Sequence, residues 1–239
     1  MTALVASGSA SLRADLTLTQ DACWLVASFA VPHRTASWAL AGGGISQALR
    51  VAWHCVSEEE LRPPVDAAAL MRRRLSERGL SAAVGMMTSR RLDTFRDESE
   101  RHGAVSARCV ATVGLGNALR IGDPPGPSGR IGTINLLCRV SAPLSDRGLL
   151  EALSLATEAR TAAVLGAGIP SRRTGHPATG TGTDCIVIAA PLEGYAQDYA
   201  GKHTALGHVI GAAVERAVSL AAADWVCELE ARQNEERRS

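Results

Sequence analysis

The chain has 239 residues, 46% hydrophobic and 21% charged, with 25 basic side chains against 24 acidic ones. That composition excludes a disordered segment, and a chain of this length buries roughly 70% of its unfolded surface, enough for a core without disulfide or metal staples. A net charge of +1 lacks the cationic excess on which phosphate-backbone binding draws, so no nucleic-acid partner is expected.

The opening MTALVASGSASLRAD has no basic n-region and no sustained apolar run, so no secretory leader is expected. Six scattered cysteines without a C-x-x-C read as reduced thiols, which predicts a cytoplasmic protein. The apolar stretches at 23–31 and 206–225 fall short of the ~20 uninterrupted residues of a membrane span, so none is expected.

LRADLTLT at 12–19 alternates apolar and polar residues, and 24–31 is almost continuously apolar, so both are expected to be strands. A third strand is expected at 37–40, ending in Gly42-Gly43-Gly44, a triple that suits a turn or a ligand loop. Residues 66–78 carry a helical pattern with Arg72, Arg73 and Arg74 on a solvated face, and Gly79 stops it. Strands follow at 80–89, 104–115 and 130–141. A helix is predicted over 146–167, capped by Ser145 or Asp146 and ended by Gly166 or Gly168. Leu149, Leu150, Leu153, Ala156, Ala163 and Val164 form its apolar side, and Glu151, Ser154, Glu158 and Thr161 its polar stripe. A turn-rich stretch at 172–183 leads to a buried strand at 185–190, then to the longest amphipathic helix at 205–226 and a charged tail, 228–239, expected to fray. Strands in adjacent runs as well as alternating with helices predict a single α+β domain over 1–239, a mixed β-sheet with helices packed on it. A three-layer, doubly wound α/β fold is the alternative.

Three segments at strand ends carry more Gly, Thr, Asn and Asp than packing needs. They are Gly114 to Asn117, continuing to Arg120, Gly122 and Asp123; Gly132-Thr133-Ile134-Asn135; and Thr179-Gly180-Thr181-Gly182-Thr183-Asp184. The third can offer backbone N–H groups and hydroxyls to a phosphate or an oxyanion, or can be a tight turn capped by its Asp. Neither a Walker A sequence nor a dinucleotide fingerprint is present. Lys202-His203-Thr204 precedes the final helix, where the positive dipole end favours the neutral imidazole of His203 and Thr204 suits the N-cap. A metal held by Asp184 and His203 has no supporting spacing, and the metal requirement stays open. Cys185, opening a buried strand, reads as core rather than as a thiol nucleophile.

Several linked motifs resemble the adenosylcobinamide amidohydrolase family: PATGTGTDCIVIAAP at 177–191, YAGKHTALGHVIGAAV at 199–214, TSRR at 88–91, VGLGNALRIGD at 113–123, GTINLL at 132–137 and ATEARTAAV at 156–164. SWALAGGGISQALRVAWHCV at 37–56 looks like the family's Gly-Gly segment. The resemblance covers roughly 37–218. Arg160 stands where the family pattern is expected to have Lys. The resemblance implies hydrolysis of the amide joining the aminopropanol arm of adenosylcobinamide to the corrin, giving adenosylcobyric acid and aminopropanol in cobalamin salvage. The adenosylated corrinoid is then the small-molecule substrate, and no further cofactor is implied.

Among the matched positions, Asp184 and His203 are the residues whose chemistry best suits the proton transfers, with Glu158 in reserve and Thr181 or Thr183 as alternative nucleophiles. The 179–183 loop with Asn117 or Asn135 would supply oxyanion donors. Substrate contacts would come from Gly43, Gly44, Asn117, Asp123, Thr133, Asn135, Thr179, Gly180, Gly182, Lys202 and Thr204, and the corrin would lie against Trp38 and Trp53. Two other classes compete: a non-catalytic corrinoid-binding protein, and a nucleotide- or phosphate-dependent transferase. The Ala-rich final helix can pack internally or across a homodimer interface.

Overall fold

The computed structural model describes residues 16–126 and 132–238. In chain order the elements are β1 (Leu16–Gln20), β2 (Trp24–Ser37), β3 (Gly44–Cys55), α1 (Ala67–Glu77), β4 (Val84–Thr88), β5 (Arg96–His102), β6 (Val105–Val113), β7 (Ala118–Leu119), β8 (Ile134–Val140), α2 (Asp146–Gly166), β9 (Gly180–Thr181), β10 (Cys185–Pro191) and α3 (Ala205–Glu236). The fold is α+β: an eight-stranded mixed sheet in the order β4-β3-β2-β10-β8-β6-β5, with three helices packed on it. β1 shares an edge of β2 with β10: Leu16 to Gln20 pair with the first half of β2, and Val187 to Pro191 with its second half. β3–β4 and β8–β10 are parallel pairs, while the other sheet neighbours run antiparallel.

Strands in the middle of this sheet are covered on both faces, which is why β10 reads as an unbroken apolar run and β8 as one interrupted only by Asn135 and Arg139. Their alternate residues serve different cores. Leu136, Cys138, Ile186 and Ile188 pack under α2 and α3, whereas Leu137 and Val187 join Leu25, Trp53 and Met86 on the opposite face. Trp24, Val26 and Ala52 point the other way, toward Leu70, Met71 and Leu75 of α1. The sheet is strongly curled about its inner face. Asn135 of β8 donates through Nδ2 to the Met87 carbonyl of β4 at 2.6 Å, although β10, β2 and β3 stand between those strands in the sheet.

The helix caps follow the sequence. Asp66 accepts from Ala68 N and Ala69 N, Ser145 from Gly148 N, and Thr204 from Gly207 N. Four expectations need correction. Residues 38–40 are not a strand: β2 ends at Ser37, and the turn uses positive φ at Gly42 and Gly44 before β3, which the sequence did not announce. β5 was also unforeseen, because RDESERH is wholly polar. It pairs with β6, and its Arg96 and Glu100 form ion pairs with Asp224 and Arg216 of α3. The tail beyond residue 228 does not fray at once; α3 continues to Glu236. Finally, α3 is long and apolar enough to pass for a membrane span by length and composition, yet most of its apolar residues from Leu206 to Trp225 are buried in the core. The residues 12–15 and 130–131 of two expected strands lie outside the described residues.

Candidate functional site

A cavity of about 710 Å³ opens where β3 and β4 end and β8 and β10 begin, at one mouth of the curled sheet. Its apolar lining residues are Trp38, Leu40, Val56, Leu61, Pro63, Ala67, Met86 and Met87. Beside them runs a polar row of Thr88, Ser89, Asn117, Thr133, Asn135, Gly182, Thr183 and Asp184, with Glu58 and Arg62 also on the lining.

The polar row is organised by Asp184, whose side chain is 8% exposed and whose two oxygens take four hydrogen bonds. Oδ1 accepts from Ile134 N (3.1 Å) and Thr181 Oγ1 (2.5 Å); Oδ2 accepts from Thr181 N (3.0 Å) and the Arg160 guanidinium (2.6 Å). Arg160 also donates to the Thr179 carbonyl at 2.8 Å. Burial pushes the Asp184 carboxyl above the usual carboxylate range, while the Arg160 charge and these hydrogen bonds pull it back. Gly180 lies against the pair, and a Cβ there would collide with both Arg160 Nη1 and Asp184 Oδ2. The clamp thus ties α2, β9 and the starts of β8 and β10 into one unit.

Around it the hydroxyls bind neighbouring backbone. Thr133 Oγ1 donates to the Thr183 carbonyl (2.7 Å), Thr183 Oγ1 donates to the Gly132 carbonyl (3.1 Å), and Trp38 Nε1 donates to the Asp184 carbonyl (2.5 Å). Asn135 is committed through Nδ2 to Met87. Cys185 lies at the cavity floor, and burial pushes its thiol up to about 12, which keeps it protonated and a poor nucleophile.

The structure therefore brings together Asn117, Thr133, Asn135, Gly182, Thr183 and Asp184. Thr179, Gly180 and Thr181 stand behind the lining as parts of the clamp; Thr179 Oγ1 accepts from Ile121 N. Asp123 is occupied elsewhere, accepting from Arg120 N, Ser171 Oγ and Thr174 Oγ1. Gly43 and Gly44 belong to the β2–β3 turn and do not line the cavity. His203, Lys202 and Glu158 are exposed, Lys202 and Glu158 pairing with each other, and Thr204 caps α3. His203 and Glu158 are thus separated from the cavity that Asp184 lines. Trp53 is fully buried in the inner core rather than offered to a ligand.

Sequence reasoning missed Arg160, Glu58 and the β4 end. Arg160 carried a signal: it stands four residues after Ala156 and four before Val164, on the apolar stripe of α2, where a cation requires a buried partner. Glu58 and Arg62 sit in an exposed turn with no distinguishing pattern. No group of three or more His, Cys, Asp or Glu side chains among the described residues is arranged to hold a metal ion.

Comparison with known proteins adds the context of this geometry. The family model for adenosylcobinamide amidohydrolase (CbiZ) matches residues 9–229. An uncharacterised protein of Methanocaldococcus jannaschii is 42% identical over 95 residues, 38% of this chain and 36% of that one. A protein of Halobacterium salinarum named adenosylcobinamide amidohydrolase is 32% identical over 133 residues, 50% of this chain and 53% of that one. The chain thus matches about a third to a half of the length of these relatives. Among solved structures, a Pyrococcus horikoshii protein superposes with a TM-score of 0.42 at 12% identity, covering 86% of this chain and 78% of the other.

Proposed function

This chain belongs to the adenosylcobinamide amidohydrolase family, and we propose that it hydrolyses the amide joining the aminopropanol arm of adenosylcobinamide to the corrin, releasing adenosylcobyric acid and aminopropanol. The observation that carries this reading is the mixed lining of the cavity. Its apolar residues suit the hydrocarbon edge of a macrocycle and its polar row suits an amide, in a volume typical of small-molecule sites. The space takes the arm and the adjoining corrin edge, and the rest of the ring lies outward across Trp38, which is 48% exposed.

Amide hydrolysis needs an activated water, donors for the tetrahedral oxyanion and a proton for the leaving amine. Asp184 holds the polar row in place, since all four of its hydrogen bonds are made to protein donors. Glu58 is the other carboxylate on the lining, and we assign it the proton transfers, from the attacking water and then to the departing nitrogen. A soluble enzyme of corrinoid salvage in the cytoplasm is the corresponding cellular reading.

The test is incubation of the purified protein with adenosylcobinamide, with products separated by chromatography and identified by mass, beside Glu58→Gln. Adenosylcobyric acid from the wild type and a loss of roughly 10²- to 10⁴-fold in Glu58→Gln are expected. Corrinoid binding without any product would overturn the hydrolase in favour of a binding protein. Full activity of Glu58→Gln would move the proton transfers to another residue.

A further inference from the structure

Among the buried polar side chains of the lining, Asn117 is the exception: Thr88, Thr133 and Asn135 are all hydrogen-bonded to protein. Its residue is 9% exposed, it lines the cavity, and it makes no side-chain hydrogen bond among the described residues. Oδ1 is fully buried without a partner, wedged where a Cβ on Gly132 would meet it at 2.7 Å beside the Gly114 carbonyl and Gly116 N. Since Oδ1 is shut away from solvent, the edge of the carboxamide that the cavity meets is Nδ2, which lies 3.6 Å from the position of a Cβ on Gly182. Other buried polar atoms are also without partners, on Trp53, His54, Arg74, Thr112 and Arg160, but none of those residues lines the cavity. Asn135, the other carboxamide on the lining, already spends its Nδ2 on Met87.

An uncommitted donor held rigidly by burial, at the polar end of an apolar cavity, has the form of a preorganised oxyanion donor. It waits for a charge that the resting protein does not supply. We propose that Asn117 is a catalytic residue whose Nδ2 donates to the carbonyl oxygen of the scissile amide. When water oxygen bonds to the carbonyl carbon, the π pair moves onto that oxygen and the hydrogen bond from Nδ2 shortens. When the pair returns, the C–N bond breaks and the nitrogen leaves with the proton that the water gave up. This assignment rests on the hydrolase reading, and it predicts a division between stability and activity that a structural asparagine would not show. A buried carboxamide without partners contributes nothing to folding that a leucine of similar size could not, whereas it is lost to the transition state altogether.

The test compares wild type, Asn117→Leu and Asn117→Ala by thermal melt and by steady-state turnover of adenosylcobinamide. The expected result for Asn117→Leu is a Tm equal to or above wild type, kcat lower by roughly 10²- to 10³-fold, and KM little changed. Asn117→Ala should lose kcat in the same way. Wild-type kcat in either folded variant overturns the assignment and leaves the hydrolase standing. A marked fall in Tm or failure to fold in both variants also overturns it, because the side chain would then be structural. If the wild type itself makes no product, the hydrolase reading fails and this assignment falls with it.

Discussion

Gly180→Ala changes no charge and adds one methyl group, yet it should be among the most damaging single changes in the protein. The backbone there does not have positive φ, so alanine meets no conformational barrier. The obstacle is the space, where the new Cβ meets Arg160 Nη1 and Asp184 Oδ2. The guanidinium is the end of a long side chain and is what moves, but it is held by Asp184 at 2.6 Å and by the Thr179 carbonyl at 2.8 Å, with side chains 11% and 8% exposed for the two partners. Overpacking alone costs about 1–3 kcal/mol, and separating a buried ion pair about 3–5 kcal/mol, against a total stability of about 5–15 kcal/mol. At ~2–4 °C of Tm per kcal/mol for a chain of this size, separation of the pair lowers Tm by about 6–20 °C. Thermal and urea melts of wild type, Gly180→Ala, Arg160→Met and the double variant measure this. Because the methyl group acts mainly by displacing Arg160, Gly180→Ala should cost much less in the Arg160→Met background than in wild type. Additive costs, or a Gly180→Ala variant within about 1 kcal/mol of wild type, would refute the clamp.

Iodoacetamide at mildly alkaline pH should label the exposed Cys23 and Cys227 and spare Cys185, Cys109 and Cys138, whose thiols burial holds protonated; peptide mass mapping reads the sites, and rapid labelling of Cys185 would contradict its burial. Thr204→Ala removes the N-cap of α3 and should cost ~1 kcal/mol in urea melts while leaving turnover intact, since Thr204 lies off the cavity. The hydrogen bond from Arg90 holds the Glu228 carboxyl below its usual 4.5, and that from Arg216 does the same for Glu100. The unfolded chain therefore takes up these protons first as pH falls: the stabilisation is complete above the unfolded value and is lost as pH drops through it toward the folded values. Urea midpoints should decline below about pH 5, and Glu228→Gln should make that decline shallower.

The parts of the fold legible in the sequence are those in which one residue's chemistry decides the local structure. Asp66, Ser145 and Thr204 cap helices because a side-chain oxygen can accept from an N–H two or three residues on, and Gly79 follows α1 with φ of +72°. β8 and β10 were legible because both faces are buried. β5 was not, because its place is fixed by ladder bonds to β6 and by ion pairs to Asp224 and Arg216, residues more than a hundred positions away. β3 was obscured in the same way: Ile45 and Leu49 are exposed, and apart from Ala48 its core residues lie in its second half, from Val51 to Trp53. In both strands the pairing partner, and not the strand's own pattern, supplies the order.

The site shows the same division at the level of single side chains. The Thr-Gly loop, Asn117 and the Thr133 to Asn135 segment were visible as an excess of polar residues at strand ends, and the structure brings Asn117, Thr133, Asn135, Gly182 and Thr183 to the lining of one cavity. What each does depends on hydrogen bonds that close across the curl of the sheet. Asn117 and Asn135 are the same residue type at two strand ends, yet the donor of one is taken by Met87 while the side chain of the other makes no hydrogen bond among the described residues. Asp184 is committed to protein partners as Asn135 is. Two backbone N–H groups, a hydroxyl and a guanidinium fill the acceptor sites of Asp184, so protonating it would break the unit that shapes the cavity. A group whose proton exchange dismantles its own surroundings is poorly suited to shuttle protons in each turnover. Residue identity therefore marks where chemistry can occur, and the distribution of satisfied and unsatisfied hydrogen bonds decides which group holds the site and which one acts in it.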